Sequence, residues 1–147
     1  RIARAISEER KLKPIVTTVH LANVVKAAHP RLERHKHPAT QTFQAIRIRI
    51  NNELEDLKLG LEQSLDVLKI GGRLLVISFH SLEDRIVKRF IRKQAHAAVE
   101  LKKLPVIPVE WRPRLKSLGR GIKADAYAIK VNPRSRSAVL RIAEKIL

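Results

Sequence analysis

Apolar positions recur in two rhythms along this chain, and each change of rhythm marks a new element. Ile2, Ala5 and Ile6, then Leu21, Val24, Val25 and Ala28, fall at helical spacings. They predict a helix over residues 1–11, interrupted by Pro14. A second helix is expected with Thr17 or Thr18 as its N-cap, closed by Pro30. A basic turn runs from Arg31 to Pro38. From Thr40, a longer stripe of Phe43, Ile46, Ile50, Leu54, Leu57, Leu61, Leu65 and Leu68 keeps the spacing of one helix face. Residues 46–50 alternate isoleucine with arginine as a strand would, but the flanking period is helical, so helix is expected throughout. Asn51 and Asn52 are a candidate break, with Asn52 capping the second part.

The rhythm changes at Gly71 and Gly72, which predict a left-handed stop. Residues 73–79, Arg-Leu-Leu-Val-Ile-Ser-Phe, are a short, nearly continuous apolar run. That pattern predicts a strand buried on both faces, as in a parallel sheet. Ser81 is then the expected cap of a helix from Leu82 to about Ala97. Glu83 and Asp84 sit in its first turn, where the helix dipole favours acids. Leu82, Ile86, Val87, Phe90 and Ile91 are its inward side. Helix, strand and helix together are a piece of a doubly wound α/β domain. Pro105 and Pro108 break the stretch from Leu101 to Arg112. Segments 114–120 and 137–145 are expected to pair as closing strands, with a short helix or loop over 125–131 between them.

Charge narrows the class of partner. The 147 residues carry a net charge of +17. Residues 1–50 hold 11 basic and 3 acidic side chains, residues 51–100 hold 8 and 8, and residues 101–147 hold 12 and 3. Two basic flanks around a neutral centre attract polyanions, nucleic acid foremost. With only 3 Phe, 1 Tyr and 1 Trp, the chain is poor in platforms for base stacking, so phosphate contact is the expected mode. The absence of cysteine excludes disulfides, thiolate metal sites and a cysteine nucleophile, and fits a reducing cytoplasm. No apolar run reaches the roughly 18 residues of a membrane span, and no signal peptide is visible. The chain begins at Arg1 and contains no methionine, so it is expected to be part of a longer polypeptide.

Four features bear on chemistry. None of the five glycines (60, 71, 72, 119 and 121) forms a G-x-G-x-x-G-like turn from strand to helix, so no loop that grips a nucleotide-like ligand is expected. Residues 78–85, Ser-Phe-His-Ser-Leu-Glu-Asp-Arg, lie at the carboxyl end of the predicted strand, the edge where open α/β sheets bind ligands. His80 there is a candidate base, donor or anion contact; the same residues also fit a plain helix cap with surface ion pairs. On the helix that starts near Thr40, Gln44, Arg47 and Asn51 line one side beside the apolar stripe. They fit a grip on a base and a phosphate, or simply a polar shoulder. In the segment 132–138, Arg134 and Arg136 flank serines after an Asn-Pro turn, an arrangement suited to phosphate or to solvent. His35 and His37 lack neighbouring carboxylates, and no metal site is expected from them.

Three long segments carry a resemblance. HPATQTFQAIRIRINNEL, GGRLLVISFHSLEDRIVKRF and NPRSRSAVLRIAEK resemble the 16S ribosomal RNA (cytosine-N4) methyltransferase H family, RsmH, also called MraW. They occur in the family's order and span nearly the whole chain. The resemblance implies the C-terminal half of a class I, Rossmann-like methyltransferase, a fragment rather than a complete fold. Residues 1–38 would be the tail of an inserted helical domain, and 39–147 the second half of the Rossmann-like domain. It implies S-adenosylmethionine as cofactor of the full-length protein, bound by residues outside this chain, and 16S ribosomal RNA of the small ribosomal subunit as partner. The residues carried over are Lys36, His37, Thr40, Gln44, Arg47 and Asn51, then Ser78, His80 and Ser81, then Arg134 and Arg136. Of these, His80 and Asn51 are expected to border the cytosine, with Arg47, Arg134 and Arg136 on phosphates. The segment 118–127 departs from the family's usual proline- and acid-containing loop. The rival is a stand-alone basic RNA-binding or ribosome-associated module without catalysis. Self-association through an exposed sheet edge is a further expectation.

Overall fold

A computed structural model describes residues 1–29, 37–96 and 112–147. Lys36, His35, most of the basic turn and the segment with Pro105 and Pro108 lie outside the described residues. The chain divides into two compact units, residues 1–53 and 54–147.

The described residues of the first unit form α1 (Ile2–Leu12), α2 (Thr18–Ala28) and α3 (Thr40–Ile50). Thr17 is the N-cap of α2, its hydroxyl accepting from the His20 amide at 3.1 Å. His20 in turn meets the Glu9 carboxylate of α1, Nε2 to Oε1 at 2.8 Å. Val25 is fully buried. The long apolar stripe does break at the two asparagines. Asn52 adopts φ +55°, a left-handed conformation that asparagine tolerates better than most residues, and α4 (Glu53–Val67) starts directly after it.

In the second unit α4 ends at a turn built on glycine. Gly71 has φ +80°, and a Cβ on Gly72 would stand 2.7 Å from the Lys69 carbonyl, so both residues are needed. The turn feeds β1 (Arg73–Ser78), followed by α5 (Ser81–Ala95), β2 (Leu115–Ser117), β3 (Ile122–Lys123), α6 (Ala126–Val131), a 3-10 turn over Pro133–Ser137, and β4 (Val139–Lys145). The expected closing pair is present. β4 is the central strand, antiparallel to β1 on one edge and to β2 and β3 on the other.

Leu61 and Leu65 of α4, Val87 and Ile91 of α5, Leu115 of β2 and Ala143 of β4 form the core, with Leu74, Val76, Ile86 and Phe90 packed against it. Both helices therefore cover the same face of the sheet. This corrects the expectation that β1 is buried on both faces. Leu75 and Ile77 are each 58% exposed. They pair with Ile142 and Leu140 of β4, and Ile122 of β3 joins Leu140, so the uncovered face is apolar as well. A continuous apolar run marks a strand able to be covered twice, and among the described residues it is covered once. The strand's partner is also antiparallel rather than parallel.

Candidate functional site

β1 runs into α5 through Phe79 and His80, and the junction is held by a reciprocal cap. The His80 Nδ1 accepts from the Glu83 amide at 3.3 Å. The Glu83 carboxylate accepts from the amides of Phe79 at 2.8 Å and His80 at 3.3 Å. This is a capping box with histidine in the place usually held by serine or threonine. It corrects the expectation that Ser81 caps this helix: Ser81 is already its first residue, and it is exposed. The spacing of His80 and Glu83 was the available signal, since an acid three residues after a cap closes such a box.

The cap fixes the histidine's chemistry. With Nδ1 accepting, the neutral ring carries its proton on Nε2. That Nε2 is buried and has no hydrogen-bond partner among the described residues. Glu83 Oε1 lies 3.2 Å from it but out of line for a hydrogen bond. The Ser78 hydroxyl, two residues earlier, is also buried and has no hydrogen-bond partner among the described residues. Both atoms are closed to solvent in this conformation, so a ligand reaches them only when the β1–α5 junction shifts. What the pair offers is a donor, Nε2–H, and a hydroxyl that can give or take.

The turn carrying Arg134 and Arg136 belongs to the same end of the sheet. Ser78 pairs with Val139, and the 3-10 turn over Pro133–Ser137 leads directly into Val139 through Ala138. Asn132 caps this turn, its side chain accepting from the Arg134 amide at 3.1 Å. Ser135 Oγ donates to the Asn132 carbonyl at 2.7 Å. Both arginine side chains remain exposed. The structure thus gathers Ser78, His80, Ser81, Arg134 and Arg136 at one edge.

The remaining predicted residues lie in the first unit. His37 Nδ1 accepts from the Ala39 amide at 3.2 Å just before α3, and Thr40 opens that helix. Gln44 is half-buried. Arg47 and Asn51 are both engaged by one carboxylate that sequence reasoning missed. Arg47 Nε and Nη2 meet Glu53 at 2.8 and 3.1 Å, and Asn51 Nδ2 donates to Glu53 at 3.1 Å. Arg47, six residues before Glu53, is beyond the usual helical pairing distance and became a neighbour only because the helix breaks at Asn52.

No glycine sits at the β1–α5 junction, and Gly71, Gly72, Gly119 and Gly121 all precede strands. The described residues therefore do not fit the amino-acid end of a nucleoside methyl donor, which in such sheets rests on a glycine-rich turn from strand to helix.

Helices packed on one face of an antiparallel sheet make this a mixed α/β arrangement, with polar groups presented where β1 runs into α5. Residues 1–146 match the MraW methylase family, and the chain belongs to that family. It is similar to ribosomal RNA small subunit methyltransferase H of Legionella pneumophila (strain Paris), with 56% identity over 146 residues, covering 99% of this chain and 47% of that protein. It shares 54% identity over 145 residues with the protein of the same name from Methylococcus capsulatus, covering 99% of this chain and 48% of the relative. The chain spans about half the length of the curated relatives it matches.

Proposed function

We propose that this chain is the target-binding part of a ribosomal RNA methyltransferase that transfers a methyl group from S-adenosylmethionine to the N4 of a cytidine in the small-subunit decoding centre. In this reading, residues 1–38 are the tail of an inserted helical domain and residues 39–147 the second half of a Rossmann-like domain. The donor is held by the rest of a longer polypeptide, and this chain alone is catalytically silent. The protein works in the cytoplasm, where its substrate is made. Among the described residues no helix is long and apolar enough to cross a membrane.

The observation that carries the reading is the gathering of Ser78, His80, Ser81, Arg134 and Arg136 at the carboxyl end of β1 in a member of this family. Cytosine presents an acceptor at O2 and another at N3 beside its exocyclic amine. A fixed Nε2–H donor suits one of those acceptors, and hydrogen bonding there orients the amine. His80 acts in this account as a donor that borders the base rather than as a proton acceptor. Arg134 and Arg136 lie on the flanking phosphates, where guanidinium forks are effective. Asn51 and Arg47 are assigned to the base and to a phosphate, and Glu53 holds both side chains in place for those roles. A cytidine in folded RNA must leave its stack to be reached. The open apolar face of the sheet supports the division of labour: Leu75, Ile77 and Ile122 stand more than half exposed, as a sheet does when half of its layer is supplied elsewhere. A stand-alone RNA-binding module accounts for the basic flanks but not for membership of a methylase family.

Two measurements test this. The longer polypeptide, incubated with donor and unmodified small subunits, is expected to produce N4-methylcytidine detectable by nucleoside mass spectrometry. Calorimetric titration of S-adenosylmethionine into this chain is expected to give no heat. Saturable one-to-one binding would place the donor site here and overturn the division proposed.

A further inference from the structure

A second basic site lies away from the strand-end cluster. A cavity of about 430 Å³ opens between α5, the turn from β2 to β3, and β4. Lys88 and Arg92 line it from α5, His96 from the residue that closes that helix, and Arg120 from the turn. Lys88 and Arg92 are about one helical turn apart, so they share one side of α5. None of the described residues lining the cavity is acidic. Arg141 also reaches it, but its guanidinium is taken by Asp84. Lys88, Arg92 and Arg120 form no ion-pair contact among the described residues, although Lys88 acts on Asp84 through space. The turn itself keeps the space open. Gly119 has φ +83°, and a Cβ on Gly121 would stand 2.9 Å from Val139 Cγ1, so neither position contributes a side chain.

Cations converging on a concave wall focus field on its interior, and the ligand that suits them is a phosphate. Much of the lining surface is apolar, from Ile91, Ala95, Ile142 and aliphatic stems, but every charged side chain that lines it is a cation, so an anion is the charged ligand it suits. From His80, Lys88 is roughly 12 Å along the helix axis and His96 roughly 24 Å, at about 1.5 Å per residue. That range exceeds one nucleotide and fits a strand that continues past the strand-end site.

We propose that this cavity is a second RNA subsite, holding backbone phosphates of the strand whose target cytidine sits at His80. It rests on the function proposed above, and adds a determinant of grip rather than of chemistry. The contact is to phosphate and so is blind to sequence.

The test is the salt dependence of RNA binding by this chain, with a labelled hairpin of small-subunit ribosomal RNA as probe. The double variant Lys88→Gln/Arg92→Gln is compared with Arg89→Gln/Lys93→Gln, which removes the same charge one residue along the same helix. Arg92 and Lys93 both lie in the last turn of α5, so the control pair also accounts for interaction with the helix terminus. The first pair is expected to reduce the log–log salt slope by about 1 per side chain and to weaken binding by about tenfold. The second is expected to leave the slope within half of that. Arg120→Gln, on a separate element, is expected to reduce the slope by about 1 and guards against loss of fold in the helix variants. Equal slopes for parent and cavity variants, or equal losses from both pairs, overturn the subsite while leaving the methyltransferase reading intact. Absence of any salt-dependent binding by the parent chain overturns the subsite too. Formation of N4-methylcytidine by the longer polypeptide reports independently on the function.

Discussion

Asp84 in the first turn of α5 and Arg141 in the middle of β4 are joined by two parallel hydrogen bonds, Nε to Oδ1 at 2.7 Å and Nη2 to Oδ2 at 3.0 Å. The pair is half-buried, with side chains 24% and 19% exposed, on the face of the sheet that the helices cover. Arg141 stands opposite Val76, a core-facing position of β1. The pair thus pins the helix that carries the cap of His80 to the strand that leads from the arginine turn.

Asp84→Asn is expected to destabilise the chain by about 1.5–3 kcal/mol at neutral pH, the range for hydrogen bonds to charged groups. The dependence on pH gives the sharper check. The Arg141 hydrogen bonds hold the Asp84 carboxyl below its ordinary value, against the opposing effect of burial, with Lys88 and Lys123 adding to the lowering. Its stabilising contribution is therefore present above the unfolded value near about 3.9 and is lost as pH falls through the lower folded value. Urea midpoints for parent and variant should lie far apart at pH 7 and converge as the pH falls below about 4. A gap that stays constant to low pH would mean that the carboxylate's charge is not what holds the pair.

His80 is both a helix cap and the proposed neighbour of the target base, and two substitutions separate these roles. Asparagine is a strong N-cap and alanine is not. His80→Asn should keep stability within about 0.5 kcal/mol of the parent, and His80→Ala should lose about 1 kcal/mol. In the longer polypeptide both should cut methyl transfer by at least about tenfold, since both remove the Nε2 donor. Activity that follows stability, retained by asparagine and lost with alanine, would leave His80 a cap alone.

Lys145, near the end of β4, closes α4 from a distance. Its ammonium donates to the carbonyls of Leu65 at 2.6 Å and Leu68 at 2.8 Å, two groups at the carboxyl end of a helix that lack partners within it. Lys145→Met keeps the length of the side chain and removes the donors. A loss of about 1–3 kcal/mol is expected, with faster hydrogen exchange in the last turn of α4. An unchanged exchange rate there would show that solvent satisfies these carbonyls equally well.

How far the sequence went depended on whether the determinant was local. Thr17 as a cap, the break at Asn51 and Asn52, the stop at Gly71 and the short helix over 126–131 each follow from a few adjacent residues. The closing strands were also anticipated, as a pairing of segments 114–120 and 137–145. His80 stood out as a candidate residue but Ser81 was given its cap, because serine is the commoner capping residue and Glu83 was read as a response to the helix dipole. The Asp84–Arg141 and Lys145–Leu65 contacts span 57 and 80 residues, and nothing local announces them. The single covered face of β1 was misread for a related reason: an apolar run records what a strand can bury, while coverage depends on the other elements present.

That uncovered face also makes a claim about assembly. Among the described residues β1 has one neighbour, β4, so its other edge offers backbone donors and acceptors beside exposed Leu75 and Ile77. An unguarded, apolar edge strand is a template for pairing with a second strand. The isolated chain is therefore expected to dimerise as concentration rises, visible by sedimentation velocity. Leu75→Lys/Ile77→Lys should raise the dimer dissociation constant by at least about tenfold, because lysine on an edge strand opposes such pairing. Both positions are solvent-facing, so the fold itself should lose little, to be checked by thermal unfolding of the monomer. A parent chain that stays monomeric at high concentration would show that this edge does not pair with itself. A dimer that survives both lysines would move the contact to another surface.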